Sequence, residues 1–166
     1  TLAAGMKFKF EGLLAANVYG TLTTNGSAGL PVVFTSIHDD AYGGDTNLNL
    51  GVTAPAAGQW VQLWMGPVSD ASSLQHLLVR CGGYNGNAAV ELSQSDLTAN
   101  GLRTQLSGGP CLNLSNNSNP AMSACAFDGG TTAAVNVAPA AVGGFTGCTA
   151  TGNAQYDAPT LGATSL

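Results

Sequence analysis

Residues 73–83 read SLQHLLVRCGG, and the same arrangement of apolar and small residues returns three more times. The later segments are SDLTANGLRTQ (95–105), PAMSACAFDGG (120–130) and GGFTGCTATGN (143–153). Their alignment predicts three columns of equivalent residues at a period of about 23. The columns are Leu74, Leu97, Met122 and Phe145; Leu77, Asn100, Cys125 and Cys148; and Val79, Leu102, Phe127 and Ala150.

A second series of segments lies between the first: AAVELSQ (88–94), CLNLSNN (111–117) and AAVNVAP (133–139). Each alternates apolar and polar residues, which is typical of a half-buried strand. Two further columns follow at the same period: Val90, Leu112 and Val135, and Leu92, Leu114 and Val137. Short strands with Gly and Asn turns at a period of 20 to 25 residues indicate a parallel β-solenoid.

The N-terminal half continues the pattern more loosely. Segments 6–12 (MKFKFEG) and 31–37 (PVVFTSI) match the first series and align Phe10 with Phe34. Segments 18–24 (VYGTLTT) and 60–66 (WVQLWMG) match the second. From Phe34 to Val79 the chain runs 45 residues, one period plus about twenty, so a long polar loop is inserted over 38–59. We expect a single all-β domain over 1–166, a solenoid of about six coils.

Composition narrows the functional classes. Only 8% of the residues are charged, against roughly 25% in an average soluble domain. Lys and Arg number 4 and Asp and Glu 9, which gives a net charge of −5 and no basic track for a phosphate backbone. No apolar run reaches the ~20 residues of a membrane-spanning helix. Nucleic-acid binding and a membrane span are therefore not expected.

The chain begins at Thr1 in a segment that already reads as structure, without a signal peptide. We therefore expect a processed or excised part of a longer surface protein. At the other end, residues 154–166 either cap the last coil or leave its strands free to pair with another chain.

The four cysteines have no CxxC spacing, so zinc is not expected. Buried free thiols and one disulfide stay open as alternatives, with Cys125 and Cys148 expected to be buried one coil apart.

The first half of the chain also carries motifs. These are Gly20-Thr21-Leu22, Pro31–Ser36 (PVVFTS), Asp39-Asp40, Gly43–Asn47 (GGDTN) and Pro55–Trp60 (PAAGQW). In this order they resemble a segment of bacterial extracellular parallel β-helix proteins, the pectate-lyase-like superfamily. The later repeats are similar to coils of that family. The family usually follows DTN with Gly-Asp-Gly and ends the loop with Gly-Asp-Trp, whereas this chain has Leu48-Asn49-Leu50 and Gln59.

The resemblance implies a right-handed, single-stranded parallel β-helix at the cell surface or outside the cell. The superfamily includes lyases, hydrolases, adhesins and passive stalks, so the fold alone does not give the function. We expect a non-catalytic structural or interaction module, such as an adhesin or a filament subunit that assembles through the β-helix ends. Its partners would be neighbouring copies of itself or adjoining coils of a parent chain. The alternative is a carbohydrate-active domain, either a polysaccharide lyase or hydrolase or a glycan-binding module.

A groove lined by acids and bases from several coils would favour the carbohydrate-active alternative. Arg80 and Arg103 lie 23 residues apart, a spacing that allows them to stack on one face of such a groove. The alternative, which we favour, is that both are simply outward-facing positions beside the acids of the loop. Trp60, Trp64 and Tyr84 are candidates for a sugar-stacking platform.

The long loop concentrates oxygen ligands of the kind that Ca²⁺ prefers. The candidate ligands are Asp39, Asp40, Asp45, Asn47 and Asn49. The alternative is an ordered surface loop in which these side chains cap their own turns.

Overall fold

The computed structural model describes residues 1–137 and 144–155. Within them the chain winds into a parallel β-solenoid of about six turns, and three parallel sheets run along it. This confirms the fold class predicted from the repeat. Helical structure in the described residues is minimal and includes a short 3-10 turn, Tyr84–Gly86. None of the helical structure in this part of the chain is long and apolar enough to cross a membrane.

Each coil gives one strand to each sheet in turn. The first sheet contains β1 (Leu2–Ala3), β4 (Thr23–Asn25), β7 (Ser73–Gln75), β10 (Thr98–Asn100), β13 (Ala121–Ser123) and β16 (Phe145–Thr146). The second sheet contains β2 (Lys7–Phe10), β5 (Val32–Ser36), β8 (Leu77–Arg80), β11 (Arg103–Ser107), β14 (Ala126–Gly130) and β17 (Thr149–Thr151). The third sheet contains β3 (Ala16–Val18), β6 (Leu63–Met65), β9 (Val90–Ser93), β12 (Leu112–Ser115) and β15 (Val135–Asn136).

The predicted columns of the third sheet are confirmed where strand pairing is described. Leu112 pairs with both Val90 and Val135, and Leu114 pairs with Leu92. In the other two sheets the fourth coil was placed two residues out of register. Ala99, not Leu97, lies between Leu74 and Met122.

The same shift affects the other predicted columns. Thr104, not Leu102, pairs with Val79 and Phe127. Leu102, not Asn100, precedes this strand in the place that Cys125 and Cys148 occupy in their coils, whereas Asn100 pairs with Gln75 and Ser123. A two-residue shift also corrects the first coil, where Phe8 rather than Phe10 pairs with Phe34.

The shift in the fourth coil has a local cause. Eleven residues separate Val79 from Val90 in the third coil, and eight separate Thr104 from Leu112 in the fourth. The three additional residues coincide with the 3-10 turn Tyr84–Gly86. The connection from the third sheet back to the first is one residue shorter after the third coil (Val90 to Ala99) than after the fourth (Leu112 to Met122). The three added residues and the one lost residue give a net shift of two. Because strand side chains alternate with a period of two, such a shift preserves the apolar pattern.

The corner between the first and second sheets repeats without change in the last four coils. One residue turns the chain there, in the left-handed region: His76, Gly101, Ala124 and Gly147, with φ of 44°, 68°, 50° and 60°. The next residue points into the core in each coil, and Leu77, Leu102, Cys125 and Cys148 are all buried. The identical corner fixes the angle between the two sheets and the register of both.

The core lies between the three sheets and consists mostly of aliphatic and aromatic side chains. Two threonines point into it with different surroundings. The Thr24 hydroxyl donates to the Gln75 carbonyl at 3.1 Å. The Thr104 hydroxyl, between Val79 and Phe127, has no hydrogen-bond partner in the described part of the chain. A buried polar group without a partner costs about 1–3 kcal/mol.

We predict that Thr104→Val raises the free energy of unfolding by about 1 kcal/mol, because it removes an unsatisfied hydroxyl at nearly constant shape. Thr24→Val is the matched control and should lower stability, since it removes a bonded hydroxyl. Urea unfolding with an unchanged m-value measures both effects. A destabilised Thr104→Val variant would contradict the environment described for this side chain.

Candidate functional site

The long loop between β5 and β6 folds back over the outer face of the second sheet. Val33, Thr35 and Leu78 point outward by strand alternation, yet all three are buried. Gly43 lies beside the stems of two lysines, and the Lys9 ammonium donates to the Gly44 carbonyl at 2.5 Å. The insertion predicted at 38–59 is therefore attached to the solenoid and covers part of one sheet.

A buried ion pair fixes the start of this loop. The Asp39 carboxylate is fully buried, lies 3.2 Å from the Arg80 guanidinium and accepts a hydrogen bond from the Thr35 hydroxyl at 2.7 Å. The guanidinium also lies over the Tyr42 ring, 5.0 Å from its centroid, in cation–π geometry. Burial raises the pKa of the neighbouring Cys81 thiol, which favours its neutral form.

Arg80 lies beside a loop acid, as the favoured alternative predicts, but Arg80 and Arg103 do not stack. Arg80 is paired across the sheet with Gln105, and Arg103 with Leu78, because the fourth coil is shifted by two residues. The two cations therefore have separate roles. Arg80 pairs with Asp39 and so attaches the loop to the second sheet, whereas Arg103 is exposed and forms no ion pair within the described residues.

Beyond the loop, the outer face of the second sheet forms the floor of an open groove of about 710 Å³. Coils three to six contribute strand and corner residues to it, and Tyr42 and the turn containing Ser27 contribute from the long loop and the second coil. The principal polar lining residues are Tyr42, His76, Arg103, Asp128, Thr149 and Thr151. A groove of this size is within the range of small-molecule sites.

The groove combines acids and bases from different coils. Arg103 lies in the fourth coil and Asp128 in the fifth, and the Thr151 hydroxyl from the sixth donates to the Asp128 carboxylate at 2.7 Å. The lining thus holds one carboxylate and one guanidinium, a minimal form of the groove of acids and bases that would favour the carbohydrate-active alternative. Tyr42, Asp128 and Thr151 were not recognised from sequence. Asp128 and Thr151 could have been found from the sequence, because they occupy the same outward-facing column as Arg80 and Gln105.

The predicted aromatic platform does not form. Trp60 is fully buried, stacks on Phe10 with ring centroids 4.3 Å apart and donates its indole N–H to the Arg80 carbonyl at 2.6 Å. Trp64 instead lies on the outer face of the third sheet beside the exposed Tyr19, with ring centroids 5.1 Å apart. Trp60 is thus part of the core and cannot contact a sugar.

The five candidate calcium ligands have different partners. Asp45 accepts hydrogen bonds from the backbone N–H groups of Asn49 and Leu50 at 3.1 and 2.8 Å, so it caps a turn. The Asn49 side-chain oxygen accepts the Gly51 N–H at 2.9 Å. Asp39 is paired with Arg80. Asp45 and Asn49 therefore behave as in the turn-capping alternative.

Three buried acceptor oxygens in the loop have no donor within the described residues: Asp39 Oδ1, Asp40 Oδ1 and Asn47 Oδ1. Such oxygens fit the requirement of a hard cation. Across the described ranges, however, no three His, Cys, Asp or Glu side chains are grouped so that they could hold a metal ion. Asp40 and Asn47 each have one side-chain oxygen that no donor among the described residues occupies. Calcium binding at the loop stays a prediction.

Comparison of the chain with family models, with curated proteins and with solved structures finds no match.

If Ca²⁺ binds the loop, the melting temperature should rise with added calcium and fall with chelator, because a ligand of the folded state stabilises it by mass action. Differential scanning calorimetry in both conditions measures the effect. Asp40→Asn should abolish the difference, whereas Glu11→Gln, an exposed carboxylate outside the loop, should retain it. Equal melting temperatures in calcium and chelator would exclude a stabilising site.

Proposed function

We propose that this chain is a non-catalytic, extracellular interaction module that binds an acidic polysaccharide along the groove of the second sheet. The observation that carries the proposal is the groove itself, with acidic, basic, hydroxyl and aromatic side chains supplied by several coils. The motifs quoted above add support for an extracellular location and for membership of the pectate-lyase-like superfamily, which we propose on that resemblance.

The shape of the groove supports an extended ligand. Four adjacent strands, β8, β11, β14 and β17, form its floor, and at ~4.8 Å per strand they span about 14 Å along the solenoid. The lining is contributed at regular intervals by successive coils. A chain molecule with its own short repeat can therefore make similar contacts with several coils.

The exposed guanidinium of the groove supports an acidic ligand. The planar guanidinium of Arg103 suits bidentate binding of a carboxylate, and this cation is exposed in the groove. Asp128 and the threonine hydroxyls can bond sugar hydroxyl groups, since a carboxylate accepts and a hydroxyl does both. Tyr42 offers a ring at the loop end. A polyuronate combines the carboxylate and hydroxyl groups that match this lining.

We predict that the protein binds polygalacturonate and that Arg103→Ala weakens binding roughly 10- to 100-fold, the equivalent of ~1.5–3 kcal/mol for a charged hydrogen bond. Lys7→Ala is the matched control, since it also removes one cation but lies outside the groove. Isothermal titration calorimetry measures both, with uncharged mannan as a comparison ligand. Equal affinity of the two variants, or a preference for mannan, would refute acidic-glycan binding at this groove.

Catalysis is tested separately. The proposed module should release no unsaturated products from polyuronates, with or without calcium, as followed by ultraviolet absorbance. Formation of such products, lost in Arg103→Ala, would replace the non-catalytic module with a lyase.

A second candidate function is assembly through the first coil. Its strands β1, β2 and β3 are at the edge of their sheets, paired on one side only among the described residues. Phe8 and Val18 in this coil are only partly buried, whereas their partners Phe34 and Met65 in the second coil are buried. A further parallel coil would cover these side chains and continue all three sheets.

The backbone of β2 offers free bonding groups for such a coil. The carbonyls of Met6 and Phe10 accept hydrogen bonds from the second coil, both at 2.9 Å. Because alternate residues of a parallel strand bond to opposite neighbours, the N–H groups of Lys7 and Lys9 face away from the second coil. We propose that they pair with a neighbouring copy of this chain or with an adjoining coil of a parent chain.

For the isolated chain, we predict concentration-dependent self-association at micromolar concentration, measured by sedimentation velocity. Lys7→Pro should abolish it, because proline removes a free N–H without affecting the bonds to the second coil. Lys7→Ala, which retains the N–H, should associate like the parent. A monomer at every concentration, or undiminished association of Lys7→Pro, would contradict assembly of copies through this edge.

A further inference from the structure

We propose that Cys125 and Cys148 form a disulfide that joins the fifth and sixth coils. This inference is independent of glycan binding and of assembly through the first coil. In the structure Cys125 and Cys148 are buried free thiols, and we assign to this pair the one bridge that the sequence left open.

The backbone register places the two cysteines directly beside each other. Ala126 pairs with Thr149, so the preceding residues Cys125 and Cys148 are also neighbours. Hydrogen bonds hold this register on both sides: Thr149 N–H donates to the Cys125 carbonyl at 2.9 Å, and Ala124 N–H to the Thr146 carbonyl at 3.0 Å. The separation of the α-carbons is thus about one strand spacing, ~4.8 Å, and disulfides need roughly 4.4–6.8 Å.

The side chains also have a common direction. Each cysteine follows the single left-handed residue of its corner, Ala124 in one coil and Gly147 in the next. Both thiols consequently point into the core, where Cys125 is 1% exposed and Cys148 is fully buried. Equivalent corners direct the two side chains to adjacent positions in the core, where the two thiols are within hydrogen-bonding distance of each other.

The other two cysteines lie beside other residue types in their columns. Cys81 follows Arg80 in a column whose next member is Leu106, and Cys111 precedes Leu112 in a column with Ala89 and Ala134. Neither is in register with a cysteine. The pair at 125 and 148 is the one that the described strand pairing brings together.

The two thiols differ in acidity. A hydrogen bond from Cys125 to the Cys148 sulfur lowers the pKa of Cys148, and the same contact raises the pKa of Cys125. The contact keeps the two sulfur atoms within reach of each other, as thiol–disulfide exchange requires.

The reaction balances with a small disulfide such as oxidised glutathione as the oxidant. The Cys148 thiolate attacks one sulfur of the oxidant and releases one glutathione thiolate, which leaves a mixed disulfide on Cys148. Cys125 then loses its proton and attacks the Cys148 sulfur, which releases the second glutathione. The protein loses two electrons and two protons, and the oxidant becomes two thiols.

Access to the pair requires opening of the sixth coil. Within the described residues its strands β16 and β17 pair only with the fifth coil. Segments with few contacts open more readily than the rest of a fold. Once formed, the bridge closes a segment of 23 residues and holds this coil on the fifth.

The test starts with fully reduced, folded protein equilibrated with oxidised glutathione. Thiols are then alkylated in denaturant, and non-reducing peptide mapping by mass spectrometry locates the bridge. We expect a Cys125–Cys148 linked peptide, lighter by two hydrogen atoms than the reduced pair, and alkylated Cys81 and Cys111. Four alkylated thiols, or a bridge that includes Cys81 or Cys111, would overturn the proposal.

A second measurement reports the effect on the fold. The oxidised protein should melt roughly 5–10 °C above the reduced protein. Cys148→Ala should remove this difference, whereas Cys111→Ala should retain it. If oxidised and reduced forms of the parent melt together, the bridge does not hold the sixth coil.

Discussion

The structure depends on one constraint, the in-register stacking of each coil on the one before it. Every coil must present its backbone N–H and C=O groups at the same heights in all three sheets, and its inward side chains above those of its neighbour. The corner between the first and second sheets satisfies this constraint with one left-handed residue per coil from His76 to Gly147. The core, the groove floor and the cysteine pair all follow from the equivalence that this corner imposes.

One coil departs from that equivalence and borders the groove through Tyr42. The insertion after β5 returns to the second sheet and is held there by the Asp39–Arg80 pair, Thr35 and the lysine contact at Gly44. Removal of one partner of a buried ion pair leaves an uncompensated charge, which costs more than the pair contributes. The loop therefore has one principal attachment, and Tyr42 connects that attachment to the groove.

The period, the parallel solenoid and the position of the insertion were predictable from sequence, because stacked coils repeat their apolar residues. The register of the fourth coil was not, since a shift of two residues exchanges Leu97 for Ala99 and Leu102 for Thr104 without changing which side chains point inward. The groove was missed for the same reason. Arg103 was aligned with Arg80, and the pairing of Asp39 with Arg80 depends on a loop whose path no periodicity describes.

The corner between the first and second sheets keeps one length in the last four coils, whereas the corner between the second and third sheets varies in length. In the last four coils five residues always separate the inward positions on either side of the first corner, as from Leu74 to Val79 and from Phe145 to Ala150. The next corner holds both the long loop and the Tyr84–Gly86 turn. New segments can therefore enter at that second corner while the ladders remain intact. For protein engineering, the fourth and fifth coils offer graft sites there, from which an added loop would extend beside the groove as the natural insertion does.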